Sequence, residues 1–185
     1  IFLGFTFYGA GMAKLFSDHA FFGWIGPVWL IEKLEPHGLG LYGKFIALSQ
    51  IIIGYMLFTT RFKLIGSIMM IPLIGNILMV TISLQWKGTP IVLAFLMLLN
   101  LILLWQYRDF FAPLVNENHL EPPVKKRKYK SWLGNGIWFS GLALQLFAIS
   151  VSYYNWYLAL AFSLLGIALS ILSFKVDRVQ ESKLS

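Results

Sequence analysis

Long uncharged stretches separated by short polar ones dominate this chain. The longest runs from Ser131 to Phe174 and is interrupted only by the polar turn Tyr153-Tyr154-Asn155. Each half matches the hydrocarbon core of a bilayer, since roughly 20 apolar residues rising about 1.5 Å each cover about 30 Å. The pattern therefore predicts a transmembrane hairpin over 132–174.

Further apolar runs precede this hairpin and resemble its two halves in length. Together they predict six spans, at about 1–16, 43–60, 64–86, 89–107, 132–152 and 156–174. The runs lack the period-two alternation of barrel strands, and a helix satisfies its own backbone hydrogen bonds inside hydrocarbon. We expect an all-α integral membrane protein, with a four-helix transmembrane bundle in 1–115 and the hairpin after it.

Basic residues orient these spans, because cytoplasmic loops carry an excess of Lys and Arg. Eleven of the fifteen fall on one side of the predicted membrane: Arg61, Lys63, Arg108, Lys125, Lys126, Arg127, Lys128, Lys130, Lys175, Arg178 and Lys183. The other side holds Lys14, Lys33, Lys44 and Lys87. Both termini, including a tail at 175–185, are therefore expected in the cytoplasm, and the loop 17–42 outside.

Composition agrees with this class of protein. With 58% hydrophobic and 12% charged residues and a mean hydropathy of +0.71, the chain lacks the polar surface that a water-soluble globule needs. The absence of cysteine excludes disulfides and thiolate metal sites. Much of the net charge of +7 comes from the basic run 125–130 in the loop 116–131, where we expect contact with anionic lipid and no binding of nucleic acid. The residues concerned are Lys125, Lys126, Arg127 and Lys128.

Polar and small residues inside the spans predict helix packing. Asn76 and Asn100 lie near mid-membrane, where an amide needs a partner on another helix. Small residues recur at close spacing, which lets helix backbones approach. They are Gly9 and Gly11, Gly136 and Ser140, Ala159 and Ser163, and Gly166 and Ser170. Such pairs pack the final hairpin or dock a partner, and the pattern is compatible with both.

The external loop and its surroundings provide the candidate ligand site. Its residues are Lys14, Trp24, Glu32, His37 and Gln85, which combine a cation, an aromatic ring and hydrogen-bonding groups. Lys14 either holds an anionic or quinone-like headgroup or, as is commoner, extends to the outer interface with its stem in lipid. The acidic residues and histidines of this loop match no known metal-ligand spacing, and Pro36 interrupts the helix that would align them, so we expect no metal site.

The segment Phe7-Tyr8-Gly9-Ala10-Gly11-Met12-Ala13-Lys14, with Gly54, Arg61 and the Met/Ile-rich third helix, resembles the DoxX-like family of small bacterial membrane proteins. The resemblance covers about residues 1–115 and implies a four-helix bundle in the bacterial cytoplasmic membrane. Members of that family are associated with quinone-linked oxidation or, in animal relatives, with chaperoning receptor assembly. The resemblance carries over Gly9, Gly11 and Lys14 and no catalytic residue, and the hairpin at 132–174 lies outside the four-helix pattern.

Two functions follow as hypotheses. The first is a non-catalytic membrane subunit or assembly factor that packs against a membrane-protein partner or another copy, without a cofactor, since polar groups of this kind more often join helices than react. The second is a quinone-interacting accessory of a membrane redox system, which the resemblance and the aromatic external loop favour. A transporter is less favoured than either, because the spans lack charged pairs for ion coupling.

Overall fold

A computed structural model describes residues 1–22, 26–111 and 130–184 of the chain. Within these ranges the fold is all-α, with 83% of residues helical and no strands. Seven α-helices occur in the described ranges: α1 (Phe2–Leu15), α2 (Leu30–Leu34), α3 (Gly40–Phe58), α4 (Lys63–Ser83), α5 (Thr89–Trp105), α6 (Trp132–Ser152) and α7 (Trp156–Leu184). Short 3-10 turns at Ser17–His19 and Glu35–His37 flank α2, and a helical turn lies at 108–111.

Four of these helices are long and apolar enough to cross a membrane: Gly40–Phe58, Lys63–Ser83, Trp132–Ser152 and Trp156–Glu181. Helix α5 is also apolar but shorter. Their outer faces carry many exposed large hydrophobic side chains, which suit contact with lipid acyl chains. The prediction of an α-helical membrane protein is thereby confirmed in its coarse form, as a chain with several helices able to span the bilayer.

The chain divides into two structural units. The first comprises Ile1–Tyr8 and Ser49–Lys126, and the second comprises Gly9–Leu48 and Arg127–Ser185. Residues 9–48, which the sequence assigns to the four-helix domain, thus group with the final hairpin. The division of the chain at residue 115 stays a prediction. The polybasic residues Lys125, Lys126, Arg127 and Lys128, and also Trp24, lie outside the described residues.

Glycine at two crossing points allows α1 and α3 to touch in the first unit. A Cβ atom added at Gly54 would lie 2.7 Å from Tyr8 Cα and 2.9 Å from the Gly4 carbonyl oxygen. One added at Gly4 would lie 2.7 Å from Phe58 Cα. Backbone therefore packs on backbone here, as small residues permit between membrane helices. The rings of Tyr8 and Tyr55, whose centroids are 5.9 Å apart, pack beside this crossing.

A buried amide joins α4 to α5 in the same unit. Asn100 is completely buried, and its Nδ2 donates to the backbone carbonyl of Ser67 at 2.9 Å. Between membrane helices such a bond contributes roughly 0.6–2 kcal/mol, because the alternative is an amide surrounded by hydrocarbon. The polar group predicted near mid-membrane thus joins two neighbouring helices.

The second unit is built around the α6–α7 hairpin. The buried residues of α7 recur at alternating spacings of four and three: Ala159, Ser163, Gly166, Ser170, Ser173 and Asp177. The buried residues of α6 have the same spacing and include Gly134, Trp138, Gly141, Gln145, Ala148 and Ser152. This spacing is the signature of left-handed helix packing, and the small side chains of α7 allow a close approach.

Candidate functional site

Lys14 lies in the last turn of α1 and is only 5% exposed. Its Nζ donates to the backbone carbonyl of Ala10 at 2.9 Å. A cation placed here also meets the partial negative charge of the helix C-terminus. In this structure the Lys14 ammonium thus turns back to its own helix, and its extension to the outer interface stays a prediction.

His19 makes two hydrogen bonds through its ring. Nδ1 lies 2.8 Å from the Ala13 carbonyl oxygen, and Nε2 lies 3.0 Å from Oε1 of Glu32. Both partners accept hydrogen bonds, so both bonds form at once only when the imidazole carries two protons. The bonds to Glu32 and then to Ala13 accordingly raise the pKa of His19 above its usual 6.5.

The backbone of the turn after α1 brings His19 to these partners. Asp18 and His19 both adopt left-handed conformations, with φ of 50° and 53°. Residues other than glycine rarely do so, and each instance costs on the order of 1 kcal/mol. The two bonds of the His19 ring offset part of that cost. The turn is therefore held by its side-chain contacts and not by its local backbone preference.

The end of α1 is also tied to the turn of the hairpin. The hydroxyl of Tyr153 donates to the Leu15 carbonyl at 3.1 Å, and the backbone N–H of Ser17 donates to Oγ of Ser152 at 3.1 Å. His19 and Tyr153 thus contact the carbonyls of Ala13 and Leu15, which are among the last four of α1 and lie beyond its helical hydrogen-bond ladder, while Lys14 adds a side-chain donor to the Ala10 carbonyl. We name this set, Lys14, His19, Tyr153 and the carbonyls they contact, the α1 cap.

The other predicted ligand residues do not converge on the α1 cap as a group. Glu32 contacts His19, but His37 is exposed at the end of its 3-10 turn. Gln85 follows α4 in the first unit, is exposed, and has a left-handed φ of 53°. Across the described residues, no group of three His, Cys, Asp or Glu side chains is arranged to hold a metal ion.

The predicted packing residues divide into buried and exposed positions. Gly9, Gly11, Asn100, Ser163, Gly166 and Ser170 are buried, whereas Asn76, Gly136 and Ser140 are exposed. Gln145 is also fully buried, and it donates from Nε2 to the Ser163 carbonyl at 2.8 Å. Gly166 leaves the room for that amide, because a Cβ there would clash with Gln145 Nε2 and lie 2.7 Å from the Gly141 carbonyl oxygen.

Sequence reasoning missed the polar cluster at the open end of the hairpin. Oδ1 of Asp177 accepts hydrogen bonds from the backbone N–H of Ser131 at 3.0 Å and from its Oγ at 2.8 Å. Ser131 Oγ in turn accepts from the Gly134 N–H and so caps α6. The available signal was the spacing from Ser163 to Ser170, which continues to Asp177 if the helix extends past 174. Arg61, which the sequence analysis uses for the topology and for the family resemblance, is also buried, with 1% exposure.

The described residues thus define an α-helical chain suited to cross the membrane several times, with polar groups that cap and join its helices. Comparisons with protein-family models, with curated proteins and with solved structures found no match to this chain.

Proposed function

We propose that this chain is a non-catalytic integral subunit or assembly factor of the bacterial cytoplasmic membrane, which packs against partner membrane proteins. One observation carries the proposal: polar side chains buried in its helices donate to carbonyls of neighbouring helices. Asn100 donates to Ser67 and Gln145 donates to Ser163. Amides used in this way join helices and are not free to bind a substrate.

The proposed topology has six spans with both ends of the chain in the cytoplasm. It rests on the eleven-to-four asymmetry of basic residues, to which the loop around Lys125, Lys126, Arg127 and Lys128 contributes most. In this topology that loop lies beside the inner leaflet, where anionic lipid attracts it. Helix α5 has 17 residues, which is about the shortest length that crosses the hydrocarbon core.

The runner-up is a quinone-interacting accessory of a membrane redox system, as the resemblance to the DoxX-like family implies. The observation that favours it is the presence of two basic side chains, Lys14 and His19, at the end of α1, with Phe22 exposed a few residues further along the chain. Cationic and aromatic groups together suit the polar head and the ring of a quinone. The capping bonds of both side chains weigh against this reading.

Gentle purification from the native membrane separates the two proposals. Mass spectrometry identifies the polypeptides that remain bound, and organic extraction measures quinone per chain. A subunit or assembly factor retains a membrane polypeptide in a fixed ratio, with quinone no higher than in the surrounding lipid. Enriched quinone without a bound polypeptide would favour the runner-up and contradict the first proposal.

A further inference from the structure

Helix α4 presents a regular exposed stripe. Residues spaced by four and three along it are all exposed: Ile65, Met69, Pro72, Asn76, Met79 and Ser83. The opposite side of α4 is buried and includes Met70, Leu73, Ile74 and Ile77. A stripe with this alternation is the seam along which two helices wind around each other with a left-handed twist. We call these six exposed residues the α4 stripe.

Asn76 is the polar residue at the centre of the α4 stripe. It lies seven residues before the end of the helix at Ser83, about 10 Å along the axis, and so deep in the hydrocarbon if α4 spans the bilayer. No hydrogen bond to the Asn76 side chain occurs within residues 1–22, 26–111 and 130–184. An amide left without partners in hydrocarbon is unfavourable by several kcal/mol, so this position calls for a polar partner.

Pro72 leaves a second polar group on the same side of α4. Proline has no backbone N–H, so the carbonyl of Ile68 lacks the donor that a helix ordinarily supplies four residues ahead. Ile68 is itself exposed. The exposed side of α4 therefore carries a carboxamide and a carbonyl that lipid acyl chains cannot hydrogen-bond. Apart from Ser83 at the end of the helix, the other residues of the stripe are apolar and suit helix packing.

The α6–α7 hairpin shows how a polar side chain in a stripe of this spacing finds a hydrogen-bond partner on the facing helix. Its buried residues follow the same alternation of four and three, and one carboxamide, that of Gln145, donates across the seam to the Ser163 carbonyl. In α4 the corresponding carboxamide is present and the facing helix is absent from the described residues. The α4 stripe thus has the composition of one half of a helix pair.

We propose that the α4 stripe packs against the α4 stripe of a second copy of this chain, with the two Asn76 side chains hydrogen-bonded to each other. Identical copies insert with the same orientation, so the two-fold axis lies along the membrane normal and each residue meets its equivalent at the same depth. A carboxamide both donates and accepts, so two facing Asn76 side chains satisfy each other reciprocally.

A second copy fits better than a generic apolar helix because the polar partner is then at the required depth by symmetry. A single asparagine in a seam of this spacing also fixes the register and the number of helices that associate. This inference rests on the proposed function, in which other membrane proteins cover the apolar faces of this chain. It adds that a second copy of the chain covers the α4 stripe.

Cysteine cross-linking tests the contact, because the chain has no native cysteine. Met79→Cys places a thiol on the α4 stripe, 64% exposed and one turn from Asn76, which stays intact. Ile91→Cys is the matched control, at the same end of the α4–α5 pair and 75% exposed. Each variant is oxidised in native membranes at low expression. Asn76→Leu and Asn76→Gln are then introduced into the Met79→Cys chain, with circular dichroism to verify the fold.

The expected result is a disulfide-linked dimer from Met79→Cys and little from Ile91→Cys. Adding Asn76→Leu should lower the association constant about tenfold, and Asn76→Gln should preserve most of the cross-linking. Equal cross-linking at both cysteines, or a yield that Asn76→Leu leaves unchanged, would overturn the proposal. So would a monomer under all conditions. If purification still recovered a different membrane polypeptide in that case, the proposed function would stand and only the second copy would be wrong.

Discussion

Nε2 of His19 lies 3.0 Å from Oε1 of Glu32. The other ring nitrogen faces a carbonyl oxygen at the end of α1, so this contact links the turn after α1 to α2 through a doubly protonated imidazole. Protonation of the His19 ring therefore strengthens the contact between the turn after α1 and α2. Its strength is modest, because the Glu32 side chain is 63% exposed and solvent screens the pair.

The His19 contact predicts a defined pH dependence. The pKa of His19 is raised in the folded chain, so the stabilisation from its pairing is fully present below about pH 6.5 and is lost as the pH rises through the folded value. NMR titration of the His19 ring protons measures that value directly. Glu32→Gln should lower the pKa, whereas Glu35→Gln, a change at an exposed neighbouring carboxylate, should leave it unchanged. A titration that Glu32→Gln does not move would contradict the assignment.

Glycine at the crossing of α1 and α3 predicts a steric requirement. Gly54→Ala should lower the free energy of unfolding by about 1–3 kcal/mol, because the new methyl group meets the backbone of Tyr8 and Gly4. Gly136→Ala is the matched control, since a Cβ there meets nothing within 4 Å. It should be neutral or stabilise α6 by about 0.5–1 kcal/mol. Denaturation in mild detergent provides both values, and equal effects of the two changes would refute the close crossing.

The Ser131–Asp177 cluster predicts coupled energetics. Ser131→Ala should destabilise the hairpin by about 1 kcal/mol through loss of the α6 cap. Asp177→Ala should destabilise it by about 1–3 kcal/mol, because it leaves the buried Ser131 donors without their acceptor. A double-mutant cycle should reveal a coupling of at least about 0.5 kcal/mol. Strict additivity would mean that the two side chains do not depend on each other.

Topology is open to direct labelling. In the absence of native cysteine, one introduced at Lys126 should be shielded from an impermeant thiol reagent in intact cells, and one introduced at His37 should react. A membrane-permeant reagent applied to the same cells should label both positions, which establishes that each thiol is reactive. Labelling of Lys126→Cys with protection of His37→Cys would reverse the proposed orientation.

Much of the helical framework follows from hydropathy alone. The prediction of 132–152 coincides with α6, and that of 64–86 differs from α4 by one residue at its start and three at its end. A continuous apolar run between charged residues can adopt few structures other than a helix inside hydrocarbon. The ends of these helices can therefore be predicted from the sequence. Helix α7 instead continues to Leu184, ten residues past the predicted end of its span, because a helix that leaves the bilayer gives no hydropathy signal.

Side-chain partners were harder to predict than helices. Lys14 and Ala10 are one helical turn apart, so their bond is a local possibility, yet the interface competes for the same ammonium. The contacts of His19 depend on left-handed backbone at Asp18 and His19, which no glycine marks in the sequence. Asp177 reaches Ser131 from 46 residues away, a distance that only the packed hairpin determines.

The role of Lys14 decides whether the end of α1 is purely structural or forms a ligand site. Because its ammonium is buried and bonded to the Ala10 carbonyl, Lys14→Met should leave the helix content, the co-purifying polypeptides and the quinone content of the purified assembly as in the wild type. Lys33→Met, at an exposed lysine of α2, controls for the loss of one positive charge. The measurement is bound quinone and bound polypeptide per chain for the three proteins. Equal values are expected in all three proteins, and a loss of bound quinone from Lys14→Met alone, with the fold intact, would show that Lys14 belongs to a ligand site.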